Sequence, residues 1–160
     1  MTRRTTLAGL AALALSIRPL ALRAAGDDVR HTDAEWRKLL PPPSYNVLRE
    51  EGTELAFSSP LDEEKRPGLY TCLGCDLALF SSKTKYDSGS GWPSFWAPLP
   101  HAVATKTDLS LGVPRTEVHC RRCLGHLGHV FDDGPKPTGL RYCMNGVALR
   151  FIPGRTTPSA

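Results

Sequence analysis

The 160-residue chain contains no apolar run of the roughly 20 residues that a bilayer-crossing helix takes, so a permanent membrane span is not expected. It has no stretch long enough to act as a linker between two domains, and its length suits a single core. Charge of one sign is also missing from most of the chain. The formal charge of +4 resides in Arg3, Arg4, Arg18 and Arg23, while the body from Gly26 onward balances 16 basic against 16 acidic residues. A nucleic-acid partner, which demands a surplus of Lys and Arg to displace phosphate counterions, is therefore disfavoured. No internal repeat is visible apart from a duplicated cysteine pair.

The composition is that of a globular protein, with 41% hydrophobic and 22% charged residues, and this excludes both a disordered tail protein and a multispanning membrane protein. With 14 Gly and 14 Pro, short elements joined by turns are expected in preference to long helices.

Residues 1–26 read as a signal peptide. Arg3 and Arg4 precede an apolar run from Leu7 to Ile17, followed by Pro19 and the small residues Ala24, Ala25 and Gly26. The paired arginines resemble a twin-arginine signal, which implies a periplasmic or exported protein. Arg18 and Arg23 stand where the exit of a signal should be uncharged, and the alternative is a cytoplasmic protein with a disordered basic N-terminus.

Thr32-Asp33-Ala34-Glu35 has the capping-box form, so a short helix should start there, bury Trp36, Leu39 and Leu40, and stop at Pro41-Pro42-Pro43. A second short helix is expected over Tyr45–Glu51, ending at Gly52. From Leu69 the pattern becomes β-rich. Strands are expected at Leu69–Cys72, Leu77–Phe80, Arg115–Cys120, His129–Phe131, Arg141–Met144 and Val147–Ile152, with a frayed tail from Pro153.

Cys72-Leu73-Gly74-Cys75 and Cys120-Arg121-Arg122-Cys123 are two CxxC knuckles separated by 44 residues. Two knuckles together make a tetrahedral four-thiolate site for one structural zinc ion, and the separation means that such an ion would tie distant parts of one fold together. Redox dithiols or disulfides are the alternative in an exported protein. Four ligands taken from five cysteines leave Cys143. Arg141 shares its strand face and could raise the thiolate fraction, making Cys143 a candidate nucleophile; a buried structural cysteine is the plainer reading.

Two further clusters bear on that choice. Gly125 to Pro135 supplies His126, His129, Asp132 and Asp133 beside a knuckle, groups able to deliver protons near neutral pH. The two histidines could instead be zinc ligands, although four thiolates already complete a tetrahedron. Ser88 to Trp96 places Trp92, Phe95 and Trp96 on a Gly-rich loop suited to a small apolar substrate group, with Phe95 and Trp96 expected to serve as a satellite core.

The two CxxC pairs, SGSGWPSF, HLGHVFDDGP and RYCMNG occur in the order found in the methionine-R-sulfoxide reductases, and the chain resembles that family, MsrB, over about residues 33–152. The resemblance implies a catalytic domain over 27–152 with a mainly β fold: two antiparallel sheets in a tent-like arrangement, short N-terminal helices and a four-cysteine zinc site. It implies thiol-dependent reduction of methionine-R-sulfoxide in peptides and proteins, with Cys143 attacking the sulfoxide sulfur and becoming a sulfenic acid. By the same resemblance His126 and His129 hold and protonate the oxygen, Asp133 and Asn145 orient the site, and Arg141 stabilises the thiolate. Trp92 and Phe131 bind substrate, and Cys72, Cys75, Cys120 and Cys123 bind zinc. A thioredoxin-like or other thiol reductant is the implied partner. Many members carry a resolving cysteine within the SGxGWPSF loop, where this chain has Ser90. The alternative function is a non-catalytic zinc-binding interaction module of the same fold, which would have no use for Cys143 and its histidines.

Overall fold

The computed structural model describes residues 28–157, so the expected signal peptide over 1–26 lies outside the described residues. Thr32 caps helix α1 (Asp33–Leu39) through a complete capping box with Glu35, and Trp36 is buried beneath it. Helix α2 (Pro42–Glu50) begins three residues earlier than its sequence suggests, inside the proline run. Pro42 and Pro43 occupy its first turn, where the absent N–H is not needed and the fixed φ suits a helix. It ends at Glu51, which takes a left-handed φ of 57°, with the Gly52 N–H donating to the Asn46 carbonyl.

Nine strands follow among the described residues, arranged in two antiparallel sheets. The smaller has the order β2-β1-β9, from β1 (Gly68–Cys72), β2 (Ala78–Ser81) and β9 (Leu149–Pro153). The larger has the order β3-β4-β8-β7-β6-β5. Its members are β3 (Lys85–Tyr86), β4 (Ser94–Phe95), β5 (Val103–Asp108), β6 (Arg115–Cys120), β7 (His126–Phe131) and β8 (Arg141–Met144). The mainly β expectation is met. Strands β3, β4 and β5 were not anticipated, although β5 carries β-branched residues at every second position, Val103, Thr105 and Thr107. Strand β7 starts three residues before its expected position, and the start of the expected last strand is a 3-10 turn, Gly146–Ala148.

One aromatic column joins the sheets. Phe95 on β4 stacks on Phe80 of β2 at a centroid distance of 4.4 Å and meets Tyr70 of β1 edge-on at 4.9 Å. All three are fully buried, and burying a side chain of this size contributes about 1.5–3 kcal/mol. Phe95 thus belongs to the main core and not to a satellite under its loop, while Trp96 is only partly buried. At the chain's end, the Gly154 N–H donates to the Pro67 carbonyl and the Thr156 carbonyl accepts from Ser81, so the stretch after β9 starts with an anchored turn. No described helix is long and apolar enough to cross a membrane.

Candidate active site

The cysteine knuckles are built alike. In the first, the Cys72 N–H donates to Leu77 and the Cys72 carbonyl accepts from Asp76; in the second, the Cys120 N–H donates to Gly125 and the Cys120 carbonyl accepts from Leu124. Asp76 and Leu124 both take the left-handed conformation that closes the turn, at φ 57° and 60°. Arg122 and Arg49 cap the carbonyls of Cys75 and Cys123, at 3.2 and 3.0 Å. Cys72 ends β1 in the small sheet and Cys120 ends β6 in the large one, so the two knuckles, 44 residues apart, bring the two sheets together.

None of the four is in a disulfide, and their sulfurs lie within 4.8 Å of one another. Cys72–Cys123 and Cys75–Cys120 stand at 3.6 and 3.5 Å, close to the roughly 3.8 Å edge of a tetrahedron with metal–sulfur bonds of about 2.3 Å. The donor set fits a closed, soft-ligand metal site, and His126 and His129 are not among the clustered ligands.

Cys143 lies at the centre of the large sheet, with Ser94 opposite on β4 and His129 opposite on β7. The register continues outward, so that Tyr86, Ser94, Cys143, His129, Glu117 and Lys106 form one row across six strands. Directly paired residues project to the same face, which places the thiol, an imidazole and a carboxylate side by side. His126 joins them by a register irregularity. Two histidines three apart on a regular strand point to opposite faces, but the pairing of Val118 with Gly128 and then His119 with His126 leaves Leu127 as an extra residue. The rings of His126 and His129 meet edge-on at 5.4 Å. Gly128, at φ 154°, has no side chain because a Cβ there would collide with the Cys143 carbonyl.

Each imidazole is held by its own carboxylate. His129 Nε2 lies 2.8 Å from Asp108 Oδ2, and Asp108 is bound in turn by Arg115 and by the Ser110 N–H. His126 Nδ1 lies 3.0 Å from Glu117 Oε1, and Lys106 pairs with the other Glu117 oxygen at 2.9 Å. Burial pushes His129 below the ordinary imidazole value, with Asp108 opposing it. A neutral His129 that donates Nε2–H to Asp108 keeps Nδ1 free as an acceptor. On His126 the Nε2 atom is buried and has no partner among the described residues. Asp108 and Glu117 were not singled out by the sequence; their signal was only their positions on β5 and β6, either side of Arg115.

Arg141 does share the face of Cys143, but its guanidinium is engaged. It grips Asp133 through two bonds of 2.8 and 2.7 Å and lies over the Phe131 ring at 4.4 Å. Arg141 pulls the Cys143 thiol down, the direction its strand face suggested, but it does not set the net direction. Burial pushes Cys143 up, and the Ser90 hydroxyl and Arg141 only partly offset it. Ser90 Oγ lies 3.8 Å from the sulfur and belongs to a hydroxyl chain, with Ser88 at 2.8 Å and Ser94 at 2.7 Å beyond that. Asn145 is buried, donating to the Leu127 carbonyl and accepting from the Glu54 N–H. The Trp92 indole donates to the Glu54 carbonyl at 3.2 Å and remains partly exposed.

A thiol registered against one of two carboxylate-held imidazoles, in a β fold whose two sheets meet at a four-cysteine cluster, has the parts of a candidate active site built around a cysteine. The SelR domain matches residues 40–153, and the chain belongs to that family. It is 52% identical over 125 residues to the peptide methionine sulfoxide reductase MsrB of Leptospira interrogans, covering 78% of this chain and 95% of that protein. It is 54% identical over 128 residues to the MsrB of Pseudomonas syringae, covering 79% and 98%. The chloroplastic peptide methionine sulfoxide reductase B1 of Arabidopsis thaliana is 52% identical over 121 residues, covering 75% and 60%.

Proposed function

We propose that this protein is a peptide-methionine (R)-S-oxide reductase that returns oxidised methionine in peptides and proteins to methionine. The observation that supports it most directly is the pairing of Cys143 with His129 across β8 and β7, beside His126. The Cys143 sulfur attacks the sulfoxide sulfur, the thiol proton passes by way of an imidazole to the sulfoxide oxygen, and methionine leaves as the oxygen is retained on Cys143 as a sulfenic acid. Two external thiols then complete the cycle. The first condenses with the sulfenic acid to a mixed disulfide and water, and the second releases Cys143 and carries away the disulfide.

Trp92 packs on the methyl group while the imidazoles take the oxygen, so the site accepts a single sulfur configuration. Cys72, Cys75, Cys120 and Cys123 would hold a structural zinc ion, and four thiolate ligands would leave it a structural rather than a catalytic role. The reductant is a thioredoxin-like protein or another thiol. Residues 1–26 direct export, as their paired arginines and apolar run suggest.

The test is incubation with a peptide carrying each methionine sulfoxide epimer in the presence of dithiothreitol, with the product mass measured. Loss of 16 Da, on the order of one oxygen, is expected from the R epimer alone. Reduction of neither epimer would favour the non-catalytic module.

A further inference from the structure

Glu54, in the stretch between α2 and β1, is absent from the residues that the family motifs single out, yet it makes four hydrogen bonds that join three parts of the site. Its carboxylate accepts from the Gly146 N–H and, at 3.1 Å, from the Val147 N–H. Its own N–H donates to Asn145 Oδ1 at 2.9 Å, and its carbonyl accepts from the Trp92 indole at 3.2 Å. Asn145 passes the connection on, donating through Nδ2 to the Leu127 carbonyl at 3.0 Å. Leu127 is the extra residue in β7 between His126 and His129. A continuous set of bonds therefore runs from the indole to the strand that carries both imidazoles, passing the turn two residues after Cys143.

We infer that Glu54 is a positioning residue that fixes Trp92 relative to Cys143 and the imidazoles, and thereby sets the span between the methyl-binding and oxygen-binding sides of the site. The reasoning is mechanical. A single indole N–H bond leaves Trp92 free to swing unless the carbonyl that accepts it is itself immobile. The Glu54 backbone is immobilised by its carboxylate, which is tied to two amides of the 3-10 turn directly following Asn145. Misplacing a substrate-positioning group by about 1 Å is enough to cost on the order of a hundredfold in rate. This inference rests on the proposed reduction of methionine-R-sulfoxide, in which Trp92 contacts the substrate methyl group.

The experiment compares Glu54→Ala and Glu54→Gln with the full-length chain, alone and combined with Trp92→Phe. Exchange of the Trp92 indole proton is followed by NMR alongside steady-state kinetics on the R-sulfoxide peptide. Glu54→Ala should speed that exchange and raise KM about tenfold with a smaller change in kcat, and Glu54→Gln, which keeps the side-chain length and one acceptor oxygen, should recover much of both. In the Trp92→Phe background Glu54→Ala should add little, because the indole through which it acts is already gone. Unchanged indole exchange, or a full additional loss in that background, overturns the inference. If Glu54→Ala does not fold, Glu54→Gln carries the same comparison at smaller amplitude. A wild-type chain inactive on both epimers would overturn the functional reading, whereas the exchange measurement would still decide the clamp.

Discussion

Cys143 and His129 are direct register partners across β8 and β7, and Gly128 is what lets the two strands lie there, since any Cβ on it would meet the Cys143 carbonyl. The φ of 154° at Gly128 adds conformational strain for any other residue. Gly128→Ala should therefore destabilise the fold by about 1–3 kcal/mol and lower activity more than stability alone explains. Denaturant unfolding alongside kinetics at a temperature where the variant is folded checks this.

Replacing Cys143 by Ser should abolish turnover while leaving the metal content and the unfolding midpoint close to those of the parent, because an alcohol is a much weaker nucleophile near neutral pH. Substantial residual reduction would remove Cys143 from its role. His129→Ala should slow the chemical step about a hundredfold or more, the usual scale for losing a positioned acid or base.

The pH dependence carries a definite sign. Burial holds His129 below the ordinary imidazole value, with Asp108 pulling it back up. The neutral ring should therefore persist below pH ~6.5, and activity should decline only as the pH falls through the depressed value. Asp108→Asn removes the charge that supports the imidazolium, so the acid limb should move to lower pH while kcat drops from lost orientation. A limb moving upward would contradict the assignment. The same shift makes His129 a source of acid instability: its contribution is complete above the unfolded value and is lost as pH falls towards the folded one.

The Cys143 thiol should be slow to alkylate at neutral pH. Burial raises it, and the Ser90 hydroxyl is the first of the groups that oppose the rise. Iodoacetamide labelling of Cys143, followed by peptide mass, should titrate above the ordinary cysteine value, and Ser90→Ala should move the midpoint higher still. A midpoint below that of a free cysteine would show that Arg141 outweighs burial. Dimedone should trap Cys143 after one equivalent of sulfoxide, with Ser90 unable to act as a resolving thiol. A disulfide from Cys143 to a clustered cysteine would reassign that cluster.

One zinc ion per chain should be found by elemental analysis, and a strong chelator or Cys72→Ser should lower stability together with solubility, since metal binding to a site joining two sheets is part of the folding free energy. Disulfides among Cys72, Cys75, Cys120 and Cys123 in the purified protein, with no metal, would refute the site.

Much of the site's chemistry could be read from local pattern. The CxxC pairs, the capping box at Thr32 and the alternating strands around Arg115 and Arg141 are short-range signals, and their physics acts within a few residues. The strands Lys85–Tyr86 and Ser94–Phe95 were hidden because two-residue strands have no period to detect. The start of α2 was hidden because prolines that usually end a helix can also begin one.

The sequence by itself determined which groups are present: five thiols divided four and one, two imidazoles three residues apart, an indole on a glycine-rich loop, and the family to which these point. Only the tertiary structure decided how they work together. The extra residue at Leu127 turns both imidazoles to one face, and Asp108 and Glu117 reach them from neighbouring strands. Asp133 occupies Arg141, and burial pushes the Cys143 thiol up against the pull of Ser90 and Arg141. These relationships lie between strands whose register is fixed by the pairing of residues distant in sequence, so no local pattern contains them.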